Sequence, residues 1–252
     1  VKYPYLKNYQ PAKDMAKIAT IKSEFTNGVK DIIPLIIGAI PFGIIFGSLA
    51  MGSGLSFIGT LAMSALVFAG ASQFIALTLL AAGTSWPMIV LTTFVVNLRH
   101  MLYATTLVPH IKNLGQRWKI PLAFWLTDEA FAVVIIRYQQ QDDSPYKQWY
   151  FLGAALFMYL NWQFCTLLGL TVGQMIPNMT TWGLDFAMVV TFIGMVMPYL
   201  TEKPMWATVV VAGSVALLTF SLPHKLGLIV AALAGIGAGI LTDYFLEGVP
   251  GK

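Results

Sequence analysis

The stretch that decides the fold is residues 32–98, IIPLIIGAIPFGIIFGSLAMGSGLSFIGTLAMSALVFAGASQFIALTLLAAGTSWPMIVLTTFVVNL, 67 residues between Asp31 and Arg99 with no Asp, Glu, Lys, Arg or His. One helical membrane crossing needs about 20 apolar residues, so this run holds several. The rest of the chain agrees. Over 252 residues the apolar set makes up 57% and the charged set 10%, where globular chains carry roughly 25% charged residues. Such a composition cannot cover a water-facing surface, and a soluble enzyme or soluble binding module is excluded. The reading is an all-α polytopic integral membrane protein.

Punctuation by Gly, Pro and polar residues divides the chain into eight hydrophobic segments: Ile32 to Ala50, Phe57 to Ala82, Trp86 to about Pro109, Pro121 to Tyr138, Trp149 to Ile176, Phe186 to Leu200, Pro204 to Leu222 and Leu226 to Leu246. Residues 1–30 read as a basic cytoplasmic tail and 31–252 as a single transmembrane domain. Residues 1–31 hold six Lys and three acids, so most of the formal +4 lies there. Attraction to anionic lipid heads accounts for that tail, and a basic folded face for nucleic acid is not expected. Met15, Ile18, Ile21 and Phe25 recur at helical spacing among lysines, which suits either an interfacial helix or a solvated tail. The first 30 residues lack an apolar core, so no cleavable signal is expected.

Charge parity bears on the second segment. Short Lys/Arg-rich loops stay cytoplasmic, which places the tail and the loop bearing Lys112, Arg117 and Lys119 on one side. Three simple crossings between them would separate them. The conflict disappears if Phe57 to Ala82 is broken or re-entrant near residues 70–73, as transporter helices are where they bind solutes; the alternative is one long tilted helix and a loop that disobeys the rule. Inverted repeats are compatible with this pattern. Small-residue pairs Gly43/Gly47, Gly169/Gly173 and Gly235/Gly239 suit close helix packing.

Three ionisable groups lie inside spans: Arg99, Asp128 and Glu129. Each costs about 2.5–3.5 kcal/mol at mid-bilayer on insertion scales, so they need partners or a watered cavity. At 100° per residue, Asn97, Arg99, His100 and Tyr103 share an arc of about 160° on one helix. The short connection makes the third and fourth segments neighbours, so Arg99 is expected to pair with Asp128 or Glu129. Two readings stand: a structural ion pair, or a substrate or proton pathway. Asp185 and Asp243 sit near segment ends, Asn161 and Gln163 mid-segment, and the single cysteine, Cys165, in an apolar run where it behaves as a small hydrophobe. No metal or cofactor motif is present.

Four motifs carry a resemblance: Pro41-Phe-Gly-Ile-Ile-Phe-Gly47, Phe68-Ala-Gly-Ala-Ser-Gln-Phe74, Asn97-Leu-Arg-His-Met-Leu-Tyr103 and Leu126-Thr-Asp-Glu-Ala-Phe131. In order and spacing the chain resembles the AzlC family of branched-chain amino-acid permeases, from Phe25 to the last segment, more loosely in the later half at Gly183-Leu-Asp-Phe186. The resemblance implies an exporter of leucine, isoleucine, valine and analogues in the bacterial inner membrane, with a small AzlD-type membrane subunit as partner. For such a zwitterion, Ser72, Gln73, Asn97, Arg99, Tyr103 and Asp128 are the substrate-binding candidates, and His100 and Glu129 the proton-coupling candidates. Phe68, Phe74, Leu98 and Phe131 are candidates for an apolar slot.

Competing classes remain at this point. Gly70-Ala-Ser-Gln73 resembles the G-x-S-G of intramembrane serine proteases, but such chemistry needs a base within reach of Ser72 and the fourth residue here is Gln. A channel differs from a carrier only in whether access alternates. An assembly subunit without its own transport is the third alternative.

Overall fold

The structure, a computed structural model, describes residues 19–142, 144–173, 200–222 and 226–247, together with Ile193 and Met197. The expected segment Phe186 to Leu200 therefore falls largely outside the described residues, as do Met15, Ile18, Asp185 and His224. The described elements are helices: α1 (Ile21–Ala50), α2 (Phe57–Leu66), α3 (Gly70–Ala81), α4 (Trp86–Asn97), α5 (Arg99–Ile111), α6 (Gln116–Phe124), α7 (Asp128–Gln139), α8 (Lys147–Thr171), α9 (Lys203–Leu218) and α10 (Leu226–Glu247). Among the described residues, four stretches are long and apolar enough to cross a membrane: α1, α4 with α5, α8 and α10.

The helix α1 starts ten residues before the boundary expected from charge at 30/31. Thr20 and Ser23 form a reciprocal capping box at its start, and Glu24 in its first turn is buried against Arg137. A charged first turn extends the helix because its carboxylate finds a partner. The described part of the expected tail is thus continuous with the first span, not a separate interfacial helix.

Parallel packing of α1 on α8 builds the centre, and glycines allow it. A Cβ on Gly28 would run into the Tyr150 carbonyl, one on Gly47 into that of Thr166, and one on Gly169 into that of Ile44. Gly43 sits over Cys165, whose Cβ would lie 2.6 Å from an added Cβ. Close backbone approach of this kind substitutes for the hydrophobic effect, which does not operate between helices in lipid. Phe46, Ile32, Phe151 and Met158 fill the seam. Gly235 and Gly239 do the same for α10 against Thr208 and Ala212 of α9.

The second segment is broken, the alternative that charge parity favours, and the break is Val67-Phe68-Ala69, just ahead of Gly70. At 1.5 Å per residue, α2 and α3 are about 15 and 18 Å long, half of a bilayer core. Side chains of α2 and α3 pack together at Met63, Ala76 and Leu79, with Ile89 of α4. Ser72 reaches Thr93 and Asn97, so α4 retraces α3. The chain enters from the end where α1 finishes, turns at mid-depth and returns.

The fourth segment, expected to be one helix from Pro121 to Tyr138, is broken too. It begins earlier, at Gln116, and is interrupted at Trp125-Leu126-Thr127. Trp118 near its start meets Trp149 at the start of α8, and Arg137 near its end meets Glu24 of α1; both belong to the end of the bundle where α1 begins. Hairpin α6–α7 therefore enters from the end opposite to hairpin α2–α3. A span followed by a re-entrant hairpin occurs twice with reversed direction, α1 with α2–α3 and α4–α5 with α6–α7. The third segment also changes helix at Leu98. The fifth, α8, runs unbroken to Thr171.

Candidate functional site

Hairpin α6–α7 owes its second half to a helix start. Thr127 takes extended backbone angles and its hydroxyl accepts from the Ala130 N–H at 3.2 Å. Asp128 and Glu129 follow in the first turn, where the positive end of the helix favours carboxylates. The signature of a cap followed by acids was present in Thr127-Asp128-Glu129, but a continuous apolar pattern around it conceals the break. Asp128 is therefore the first residue of a half-helix at mid-depth, not one buried seven residues into a span.

Leu98 divides α4 from α5 and leaves Asn97 and Arg99 on either side of the joint. Each meets a different hairpin. Ser72 Oγ donates to Asn97 Oδ1 at 2.6 Å, tying α3 to the end of α4. Arg99 Nη2 lies 3.0 Å from Asp128 Oδ2, and the Tyr103 hydroxyl donates to the other oxygen, Oδ1, at 2.6 Å. Of the two acids Arg99 was expected to meet, the structure selects Asp128. Glu129 makes no ion pair among the described residues.

The aromatic surroundings are close. Tyr103 stacks on Phe131 at 4.5 Å between centroids and meets His100 edge-on at 5.8 Å. His100 Nδ1 lies 3.2 Å from the Asn97 carbonyl. No hydrogen bond joins His100 to Ser72 or to Glu129 among the described residues. Of the four apolar candidates, Phe131 stands beside the ion pair. Phe74 instead contacts Phe42 and Phe46, Phe68 contacts Tyr159, and Leu98 is partly exposed.

Gln73 is placed apart from Arg99 and Asp128 in what it does. It is fully buried, donates to the Val67 carbonyl at 2.7 Å and the Met63 carbonyl at 3.4 Å, and accepts from the Trp162 indole at 3.1 Å. A helix end leaves carbonyls without partners, and α2 ends in the apolar interior. Gln163 donates to the Ser64 carbonyl at 3.0 Å and Tyr159 to that of Ala65 at 3.2 Å. Three side chains thus hold the first break. The second is less complete: the Trp125 indole N–H is buried with no partner among the described residues, as is Arg99 Nε. An unmet buried donor costs about 1–3 kcal/mol, so these groups are poised to donate to an oxygen.

A second polar group went unread in the sequence because its members are far apart. Arg137 pairs with Glu24 and, at 2.7 Å, with Asp142; Lys147 lies 2.9 Å from Asp142, and the Ser144 hydroxyl donates to Glu24 at 2.7 Å. Burial opposes ionisation of Asp142, but hydrogen bonds from Lys147 and Arg137 outweigh it and hold its pKa below the usual carboxylate range. The group fastens α7 to α1 and α8 beside a cavity of about 290 Å³ lined by His110, Tyr138 and Gln148 among others.

Comparison with known proteins places this geometry. The family model described as AzlC protein matches residues 34–176, which contain both hairpins and the ion pair. The inner membrane protein YgaZ of Escherichia coli (strain K12) is 33% identical over 236 residues, covering 90% of this chain and 93% of that one. An uncharacterized membrane protein of Helicobacter pylori (strain ATCC 700392 / 26695) is 32% identical over 75% of this chain and 85% of its own. The branched-chain amino acid transport protein AzlC of Bacillus subtilis (strain 168) is 28% identical over 71% of this chain and 69% of its own. No solved structure matches. With more than half its length matched by the family model and a 33% identical relative spanning nearly all of it, this chain is a membrane protein of the AzlC family.

Proposed function

We propose that the chain is a secondary transporter that exports leucine, isoleucine, valine and analogues across the bacterial inner membrane. The observation that carries this reading is the Arg99–Asp128 pair with Tyr103, set at the joint of a broken span and the start of a half-helix. An α-amino acid brings one carboxylate and one ammonium. It can open the pair by offering its carboxylate to Arg99 and its ammonium to Asp128. One internal ion pair is exchanged for two external ones, so neither the empty nor the loaded state leaves a buried charge unmatched, which keeps binding reversible. Arg99 Nε, unpaired among the described residues, is a further donor for the incoming carboxylate. Ser72 and Asn97 close the hairpin side of the site, and the Phe131 and Tyr103 rings offer an aliphatic side chain an apolar wall.

Proton-motive force drives export in this reading, with His100 and Glu129 as the carriers beside the pair. The N-terminus is cytoplasmic: Arg137 and Lys147 join the start of α1 at one end of the bundle, and Lys112, Arg117 and Lys119 follow α5 at that same end, as the positive-inside bias favours. A small AzlD-type subunit completes the exporter, on the strength of the resemblance of the motifs. The name of the Bacillus subtilis relative supports the substrate class.

Counterflow in proteoliposomes tests the reading. Labelled leucine is expected to accumulate transiently against unlabelled leucine loaded inside, and Arg99→Met is expected to abolish that overshoot. Equilibration without overshoot indicates a channel, and no flux in the presence or absence of an AzlD-type partner overturns the proposal.

A further inference from the structure

At mid-depth the two hairpin tips meet on one side chain of α8. The Tyr159 hydroxyl donates to the Ala65 carbonyl at the end of α2, and its ring meets Phe68 of the first tip edge-on at 5.0 Å. The same ring lies 5.8 Å from Trp125 and 6.3 Å from Phe124 in the second tip. A second link between the hairpins runs through the joint at Leu98, by Ser72–Asn97 on one side and Arg99–Asp128 on the other.

We propose that Tyr159 is the positioning residue that couples the two tips, so that displacement of one hairpin is transmitted to the other. The asymmetry of the two breaks gives the direction. The first tip is held by Gln73, Gln163 and Tyr159 on its carbonyls, whereas the second carries an unpartnered buried indole N–H among the described residues. The second tip is therefore the one that yields first, and Tyr159 bears against it with its ring while its hydroxyl is anchored to the first. Interiors packed this closely respond by switching between arrangements rather than by deforming smoothly. Two hairpins from opposite ends, each closing one approach to Asp128, need such a link if they are not to open together. The coupling stands on the ring contacts and hydrogen bonds of Tyr159; its consequence for flux rests on the transport reading above.

Hydrogen exchange of the full chain in lipid nanodiscs tests it without any substrate. Asp128→Asn weakens the second tip and is expected to raise exchange in residues 122–130 by about tenfold, from the loss of a charge-assisted hydrogen bond. With Tyr159 present, exchange in residues 62–70 rises as well, by about threefold or more. In the Tyr159→Leu background Asp128→Asn is expected to leave residues 62–70 unchanged. Tyr159→Phe, which keeps the ring and loses only the hydroxyl, is expected to reduce the transmitted rise at least by half, and it decides the matter if Tyr159→Leu does not give a monodisperse protein. A transmitted rise that survives these substitutions, or none with Tyr159 present, overturns the coupling. Absence of leucine flux with an intact exchange response would instead remove the transport reading and leave the coupling standing.

Discussion

Removing either partner of the Arg99–Asp128 pair has an asymmetric cost that follows from what remains. Asp128→Ala strands a guanidinium that, among the described residues, has no partner for its Nε and pairs with Asp128 alone. The side chains are 24% and 14% exposed, so the site is mostly desolvated, and breaking a buried pair from one side costs about 3–5 kcal/mol. Arg99→Met leaves Asp128 with the Tyr103 hydroxyl at 2.6 Å and the first turn of α7. A helix N-terminus and one hydrogen bond to a charged group together return about 2 kcal/mol or more, so this variant is expected to lose only about 1–3 kcal/mol. The double variant removes both charges and should be less destabilised than the sum of the singles by about 2 kcal/mol. Reversible unfolding in bicelles, followed by tryptophan fluorescence, measures all three. If Arg99→Met is the more damaging single, or if the two losses add, then the pair is not the mutual support described here.

The remaining expectations concern packing, the first break, the charged end and proton coupling. Gly47→Ala should destabilise by about 1–3 kcal/mol or more by overpacking, because the added methyl meets the Thr166 carbonyl, whereas Gly213→Ala, with open space around it, should be neutral or slightly stabilising in the same assay. Gln73→Leu strips the Val67 carbonyl and the Trp162 indole of their partner and should cost about 1–3 kcal/mol, with faster exchange at the first tip. The depressed pKa of Asp142 stabilises the fold fully above the ordinary carboxylate pKa of about 4, and this contribution is lost as pH falls through the lower folded value; Asp142→Asn should flatten that acid limb in a pH series of melting temperatures. Glu129→Gln should abolish the pH dependence of leucine transport in proteoliposomes, and an unchanged profile would exclude it as an obligatory proton carrier.

Much of the architecture was legible in the order of residues. A run without charge between Asp31 and Arg99 demands lipid, and the distribution of lysines favours a turn back within Phe57 to Ala82 over one long tilted helix, because short Lys/Arg-rich loops stay on one side. The pairing of Arg99 with an acid of the next segment also followed from the cost of isolated charge. The second hairpin did not follow. Trp125-Leu126-Thr127 is as apolar as the helices beside it, and no charge parity marks it, because a hairpin that returns to its own end alters no count when the charges that follow are mixed.

What the chain by itself determined is its solvent, its helical class and the small set of groups that cannot remain alone in lipid. Those are consequences of transfer free energies, which belong to residue types. The tertiary structure decided which acid answers Arg99, why Gln73 serves the break, how Glu24 meets Arg137 across more than a hundred residues, and that two hairpins converge on Tyr159. Each of these depends on distances between segments remote in the chain, and the close seam of α1 on α8, where glycines bring two backbones together, supplies the surface on which the two hairpins pack.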